Sequence, residues 1–222
     1  MWALFLREEL INSIEKCNNL SASSSDKLTW SHIKRIIKSE KCIIRFIDIA
    51  NTCINLGHWS FYFKKSMTVI TFKPNKIIYD SPKFFYPIVL LNTMEKLFEK
   101  MIGEQLQFLM ILNNFIHPCQ LSSLKQRSTM DADITLIHFT WSGWVKNLST
   151  SILAFNISQF FPLLNHQLLS LIMDKAELDQ KVSIFFKNYL VRRKTKYLWN
   201  NFQSPFCYKS ILIAFRKIYI SN

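Results

Sequence analysis

Apolar positions recur at helical spacing through most of this chain and switch to strand spacing in four places. Residues 4–17, "LFLREELINSIEKC", carry apolar side chains at intervals that fit a short amphipathic helix. The Ser-rich stretch 18–30, "NNLSASSSDKLTW", reads as a loop that ends in a helix start at "TWSHIKRIIKSE". Residues 41–57 are again helical in period and stop at Gly57, a C-terminal cap signal. "MTVITF" (67–72) is rich in β-formers and ends at Pro74, which predicts a strand, and "FFYPIVLL" (84–91) has strand character. The longest helical pattern is 92–115, with Asn92 as cap, Glu95 at the capping-box position and Leu97, Met101 and Leu106 on one side. A second long helix is expected over 128–147, with acids at its positive end.

Beyond it the pattern predicts a strand at 150–157, "TSILAFNI", and a helix with Pro162 in its first turn. Another helix follows over "DQKVSIFFKNYLVRR", then a strand at 195–202, "TKYLWNNF". The last fifteen residues have weak β character. No internal repeat is visible. Strands separated by a majority of helices predict an α+β class, helix-rich with a small sheet.

Composition narrows the chemistry. The 222 residues are 49% hydrophobic and include 19 Phe, which is enough for a sizeable core. Only 3 glycines are present, where average usage gives roughly 15, so glycine-cradled phosphate loops have no place here. Lys and Arg number 28 against 15 Asp and Glu, a net charge of +13, which implies a polyanionic partner or a solvated basic surface. The 5 cysteines are scattered without a CxxC pair, so a reducing compartment is expected rather than a disulfide or zinc framework. His58, His117 and His166 lack metal-ligand spacing and read as core or cap residues. No apolar run approaches the ~20 residues of a membrane span, and "MWALFLREEL" lacks a basic start and a cleavage site. An intracellular protein, nuclear or cytoplasmic and not secreted, is expected, with no membrane partner and no small-molecule ligand.

Several segments then line up in order. "FKPNKIIYDSPKFFYPIVLLNTMEKLFEKMI" (72–102) resembles the fingers of non-LTR, LINE-type retrotransposon reverse transcriptases, where KP-x-K and YRPI-S-LLN lead into a K-x-x-EK helix. "HPCQLSSLKQRSTMDADITLIHF" (117–139) is similar to the family's Q-x-G-x-x-x-x-x-ST-x-DA segment. "LAFNISQFFPLLNHQLL" (153–169) is similar to the first metal motif of the palm, and "FFKNYLVRRKTKYLWNNFQSPF" (185–206) to the S-x-L-x-x-R-x-T segment before the primer-side strands. "SSSDKLTWSHIK" and "INLGHWSFYFKKSMTVITFKP" are like the family's PGPD and G-x-(F/W)P-x-x-WK stretches. The wording is closest to fungal elements, and the likeness covers roughly residues 10–206.

The resemblance implies an incomplete polymerase right hand. Residues 1–60 would be a helical opening to the fingers, 61–206 the fingers and partial palm, and 207–222 a divergent tail. Intact members transfer nucleotides with two Mg²⁺ ions held by carboxylates, one Asp from the first palm motif and a pair from a later (A/Y)-x-DD hairpin. Here the first carboxylate position is Asn156, the steric-gate aromatic is Phe161, and the Arg of YRPI, which approaches nucleotide phosphates, is Tyr86. No Asp-Asp pair follows residue 157, where the only acids are Asp174, Glu177 and Asp179. The resemblance therefore implies a chain without polymerase activity and with no cofactor of its own.

Phe161 fits a gate or plain core, and Lys73, Lys76 and Lys83 fit a template track or a solvated loop. Asp131 and Asp133, in a first helical turn, are read as dipole partners rather than metal ligands. "VRRKTKYLW" (191–199) interleaves four cations, Arg192, Arg193, Lys194 and Lys196, with two aromatics, the composition of a single-strand-binding surface. With Lys73, Lys76 and Arg127 these form the expected contacts to RNA or DNA. The alternative to a polymerase remnant is a non-catalytic basic nucleic-acid-binding protein built on the same fragment. A sheet cut after its first palm strand is expected to leave an unpaired edge and an open apolar face.

Overall fold

The computed structural model describes residues 2–22, 26–157, 164–176, 178–200 and 202–208. Seven helices and a small mixed sheet among them make an α+β fold. The helices are α1 (Arg7–Glu15), α2 (Trp30–Ile36), α3 (Glu40–Asn55), α4 (Thr93–Leu112), α5 (Thr129–Val145), α6 (His166–Lys175) and α7 (Gln180–Leu190). The strands are β1 (Lys65–Phe72), β2 (Phe85–Leu90), β3 (Lys194–Trp199), β4 (Phe202–Gln203) and β5 (Cys207–Tyr208). No helix among the described residues is long and apolar enough to cross a membrane.

Local chemistry sets most of the ends. α3 stops at Gly57, whose φ of +59° lies in the left-handed region that a glycine occupies without steric cost. Gly57 N–H donates to Ile54 O, and His58 N–H donates to Cys53 O, so the paired bonds of a Schellman cap close the helix. Ser128 and Asp131 cap α5 reciprocally, with Ser128 N–H donating to the Asp131 carboxylate at 2.6 Å. Hydrogen bonding to Ser128 holds the Asp131 carboxyl below its ordinary value, which matches a dipole-and-cap role. α6 begins at His166 with Asn165 as its cap, later than Pro162, which lies outside the described residues.

The chain forms two compact units. The first holds residues up to 104 and those from 164 onward. Its core centres on Trp59, fully buried, whose ring lies 5.2 Å from Phe63, 5.6 Å from Phe185, 5.7 Å from Tyr189 and 6.3 Å from Phe98. α3 buries Ile43, Phe46, Ala50 and Ile54, one stripe at helical spacing, and α4 adds Leu97, Phe98, Met101 and Ile102. Rings of this size supply roughly 1.5–3 kcal/mol each on burial.

The sheet of this unit runs β2-β1-β3-β4, with β5 also on β3. β1 pairs antiparallel with β2 (Met67 opposite Leu90) and parallel with β3 (Lys65 opposite Lys194). Pro87 is accommodated because β2 is an edge strand, where a missing N–H breaks no ladder. Thr68 and Thr195, both buried, join β1 and β3 through a 2.7 Å hydroxyl contact.

The second unit holds residues 105–157. α5 has no buried residue, although its sequence is apolar on every side. The segment 151–157, expected as a strand, has no strand structure, and Leu153, Phe155 and Ile157 are exposed. A strand needs a partner for its N–H and C=O groups, and no described strand pairs with this segment.

Candidate nucleic-acid interface

Strand alternation divides the basic segments between two faces of the sheet. Side chains two apart on a strand share a face, and registered partners on neighbouring strands share it too. Lys65, Met67, Val69 and Thr71 of β1 therefore lie with Lys194, Lys196 and Leu198 of β3, with Tyr86 and Ile88 of β2, and with Tyr208 of β5. The other face carries Ser66, Thr68 and Thr195, all buried, and it is the face against the helices.

The outer face is a lattice of lysines and rings. The Lys65 ammonium sits 4.8 Å from the Phe61 ring and 5.8 Å from Phe206. Lys194 sits 4.5 Å from Tyr208 and 5.6 Å from Phe61, and Lys196 sits 4.6 Å from Phe206. Lys73 lies 4.9 Å from Tyr86 at the other end. No Asp or Glu occurs in residues 57–79, 84–94 or 180–208, so the strands themselves carry no carboxylate, and the β1–β2 connection adds one, the exposed Asp80. A surface on which lysines outnumber acids in this way attracts polyanions.

The inner face explains why one cation of the "RRKTK" run is spent elsewhere. Arg193, expected as a nucleic-acid contact, is buried and turned toward α4, because residues 193 and 195 alternate with 194 and 196. Its Nη2 donates to Glu95 Oε1 at 2.5 Å and lies 3.7 Å from Glu99 Oε1, and its guanidinium stacks 4.6 Å from the Tyr189 ring. The Tyr189 hydroxyl donates to Glu99 Oε1. Burial, and then the neighbouring Glu99, lifts Glu95 well above the ordinary carboxylate range, and burial lifts Glu99 as well. Burial opposes the charge on Arg193, but the acidic groups around it, with the hydrogen bond to Glu95, outweigh burial and hold its pKa above the usual arginine value. Nearby, the buried Lys64 ammonium donates to Asn188 O at 2.6 Å and Asn188 Oδ1 at 3.0 Å. Burial, with Arg193 and Arg192 beside it, pushes Lys64 below the usual lysine range.

The remaining expected residues scatter. Arg192 is exposed in the left-handed turn (φ +57°) between α7 and β3, and Lys76 lies 6.0 Å from the Phe84 ring. Arg127 belongs to the second unit, where its Nη1 donates to the carbonyls of Pro118 at 2.8 Å and Gln120 at 2.5 Å. Asn156 is exposed in the second unit, and Phe161 lies outside the described residues. The side chains that the sequence reading missed are Lys65, Phe61, Phe206 and Tyr208. The signal for the first two was present in "FYFKK" (61–65), which interleaves rings and cations as "VRRKTKYLW" does.

Asn156, the position that the resemblance aligns with the first metal carboxylate, carries a neutral amide, and no group of three or more His, Cys, Asp and Glu side chains converges among the described residues. No protein-family model matches this chain, and no curated protein matches it.

Proposed function

We propose that this chain is a non-catalytic relative of LINE-type reverse transcriptases that binds nucleic acid through the outer face of its sheet. The observation that carries the reading is the lysine–aromatic lattice of Lys65, Lys194 and Lys196 with Phe61, Phe206 and Tyr208 on strands that contain no Asp or Glu. Cations of this kind hold phosphates, and binding releases the counterions condensed on the nucleic acid. The ordered likeness of residues 10–206 to the fingers and first palm motif supports the origin of the chain. The amide of Asn156 supports its inactivity, since losing a carboxylate beside two dications removes several kcal/mol of electrostatic stabilisation. A basic nucleic-acid-binding protein built on the same fragment would use the same face and differ only in history.

Two measurements test this. Labelled RNA titrated with the 222-residue protein is expected to bind at low salt and to weaken steeply as salt rises. No binding at low salt contradicts the reading. In a primer-extension assay with Mg²⁺, neither the protein nor Asn156→Asp is expected to extend a primer. Metal-dependent extension by that variant shows that the chain supplies the other metal ligands after all.

A further inference from the structure

We propose that the outer sheet face takes single strands rather than duplexes, by exchanging each lysine that lies over a ring for a base. This rests on the nucleic-acid reading above and names the form of nucleic acid it requires. Phe61, Phe206 and Tyr208 are 51%, 43% and 73% exposed, so part of each ring is open to a ligand. Each carries an ammonium over its face, at 4.8, 4.6 and 4.5 Å respectively. The attraction of a cation for a ring at an exposed site is weak, and a phosphate competes for the same ammonium. When a lysine swings from ring to phosphate, the ring's π surface is released, and an unstacked base can take the vacated place. One movement thus forms both the phosphate contact and the stack.

Duplex nucleic acid cannot complete this exchange, because its base faces are already stacked and only its phosphates are offered. Lys194 and Lys196 stand two residues apart on β3, Lys194 beside Tyr208 and Phe61 and Lys196 beside Phe206, so charges and π faces are interleaved on this surface. Insertion of the same rings into a lipid surface is disfavoured. Lysines and rings are interleaved on this face, and the amphipathic separation of apolar from basic side chains that such surfaces need is absent.

The test compares a fluorescein-labelled 12-nucleotide oligo(U), a duplex of equal length and anionic phosphatidylserine vesicles as partners of the full chain. The single strand is expected to bind at least about ten-fold more tightly than the duplex, the size of one base–ring stack. Phe206→Ala with Tyr208→Ala is expected to lose roughly ten-fold or more on the single strand and little on the duplex. Circular dichroism and thermal melting establish that the variant is folded. Tyr208→Ala alone, at the most exposed of the three rings, serves if the double variant fails to fold. Equal affinity for both forms, unchanged by ring removal but lowered by loss of lysines, overturns the single-strand inference and leaves nucleic-acid binding standing. Binding to vesicles and to neither oligonucleotide overturns both.

Discussion

Arg193→Ala is expected to remove about 3–5 kcal/mol of folding stability, because it leaves two carboxyl groups buried without their cation. Glu95 and Glu99 sit one helical turn apart on α4, and the guanidinium between α4 and β3 is their positive partner. The loss depends on pH in a stated direction. Both carboxyls are held above the ordinary glutamate value of 4.5, so the fold binds more protons than the unfolded chain above that pH. Their contribution is fully present below pH 4.5 and is lost as pH rises through the raised folded values. Removing Arg193 raises those values further, since the guanidinium is what lowers them, and so deepens the loss at neutral pH. Urea unfolding at pH 5 and pH 8 checks this. Arg193→Met combined with Glu95→Gln and Glu99→Gln, which replaces the whole ionic set, is expected to recover much of the stability and to flatten the pH dependence. An Arg193→Ala protein as stable as the parent at both pH values contradicts the account of this cluster.

The second large effect concerns binding. Lys65→Ala, Lys194→Ala and Lys196→Ala together are expected to reduce the slope of log K against log salt by about 2, at ~0.7 per phosphate contact on a single strand. At ~0.1 M salt that amounts to roughly 100-fold in affinity. Lys38→Ala, Lys41→Ala and Arg45→Ala remove the same charge from exposed positions in and just before α3. Comparable losses from both sets would mean that net charge, rather than the sheet face, holds the nucleic acid.

What the sequence made legible is mostly local. The Gly57 stop, the Ser128–Asp131 cap and the stripe of Ile43, Phe46, Ala50 and Ile54 each depend on residues within a few positions of one another. Pairing between distant segments was not legible. Nothing in "KSMTV" or "KTKYL" announces that these two strands lie side by side in parallel, and that pairing brings Lys65 to Lys194. The basic run 192–196 read as one surface, yet alternation sends Arg193 inward and Lys194 and Lys196 outward. Its inward turn becomes intelligible only once Glu95 and Glu99 are placed, some hundred positions earlier in the chain.

The expected strand at 150–157 failed for a related reason. β-propensity is a preference for a pleated surface that others complete, and the described strands do not complete one there. Apolar side chains of α5 and of residues 152–157 are exposed, Trp141, Trp144, Leu153 and Phe155 among them.

The central claim is that nucleic acid lies on the outer face of the sheet, and ultraviolet cross-linking of bound oligo(U) followed by peptide mass mapping tests it most directly. The account predicts adducts on peptides spanning 61–73 and 194–208, at Phe61, Phe206 and Tyr208 above all. Adducts confined to residues 105–157, or spread evenly over the basic surface, would contradict it.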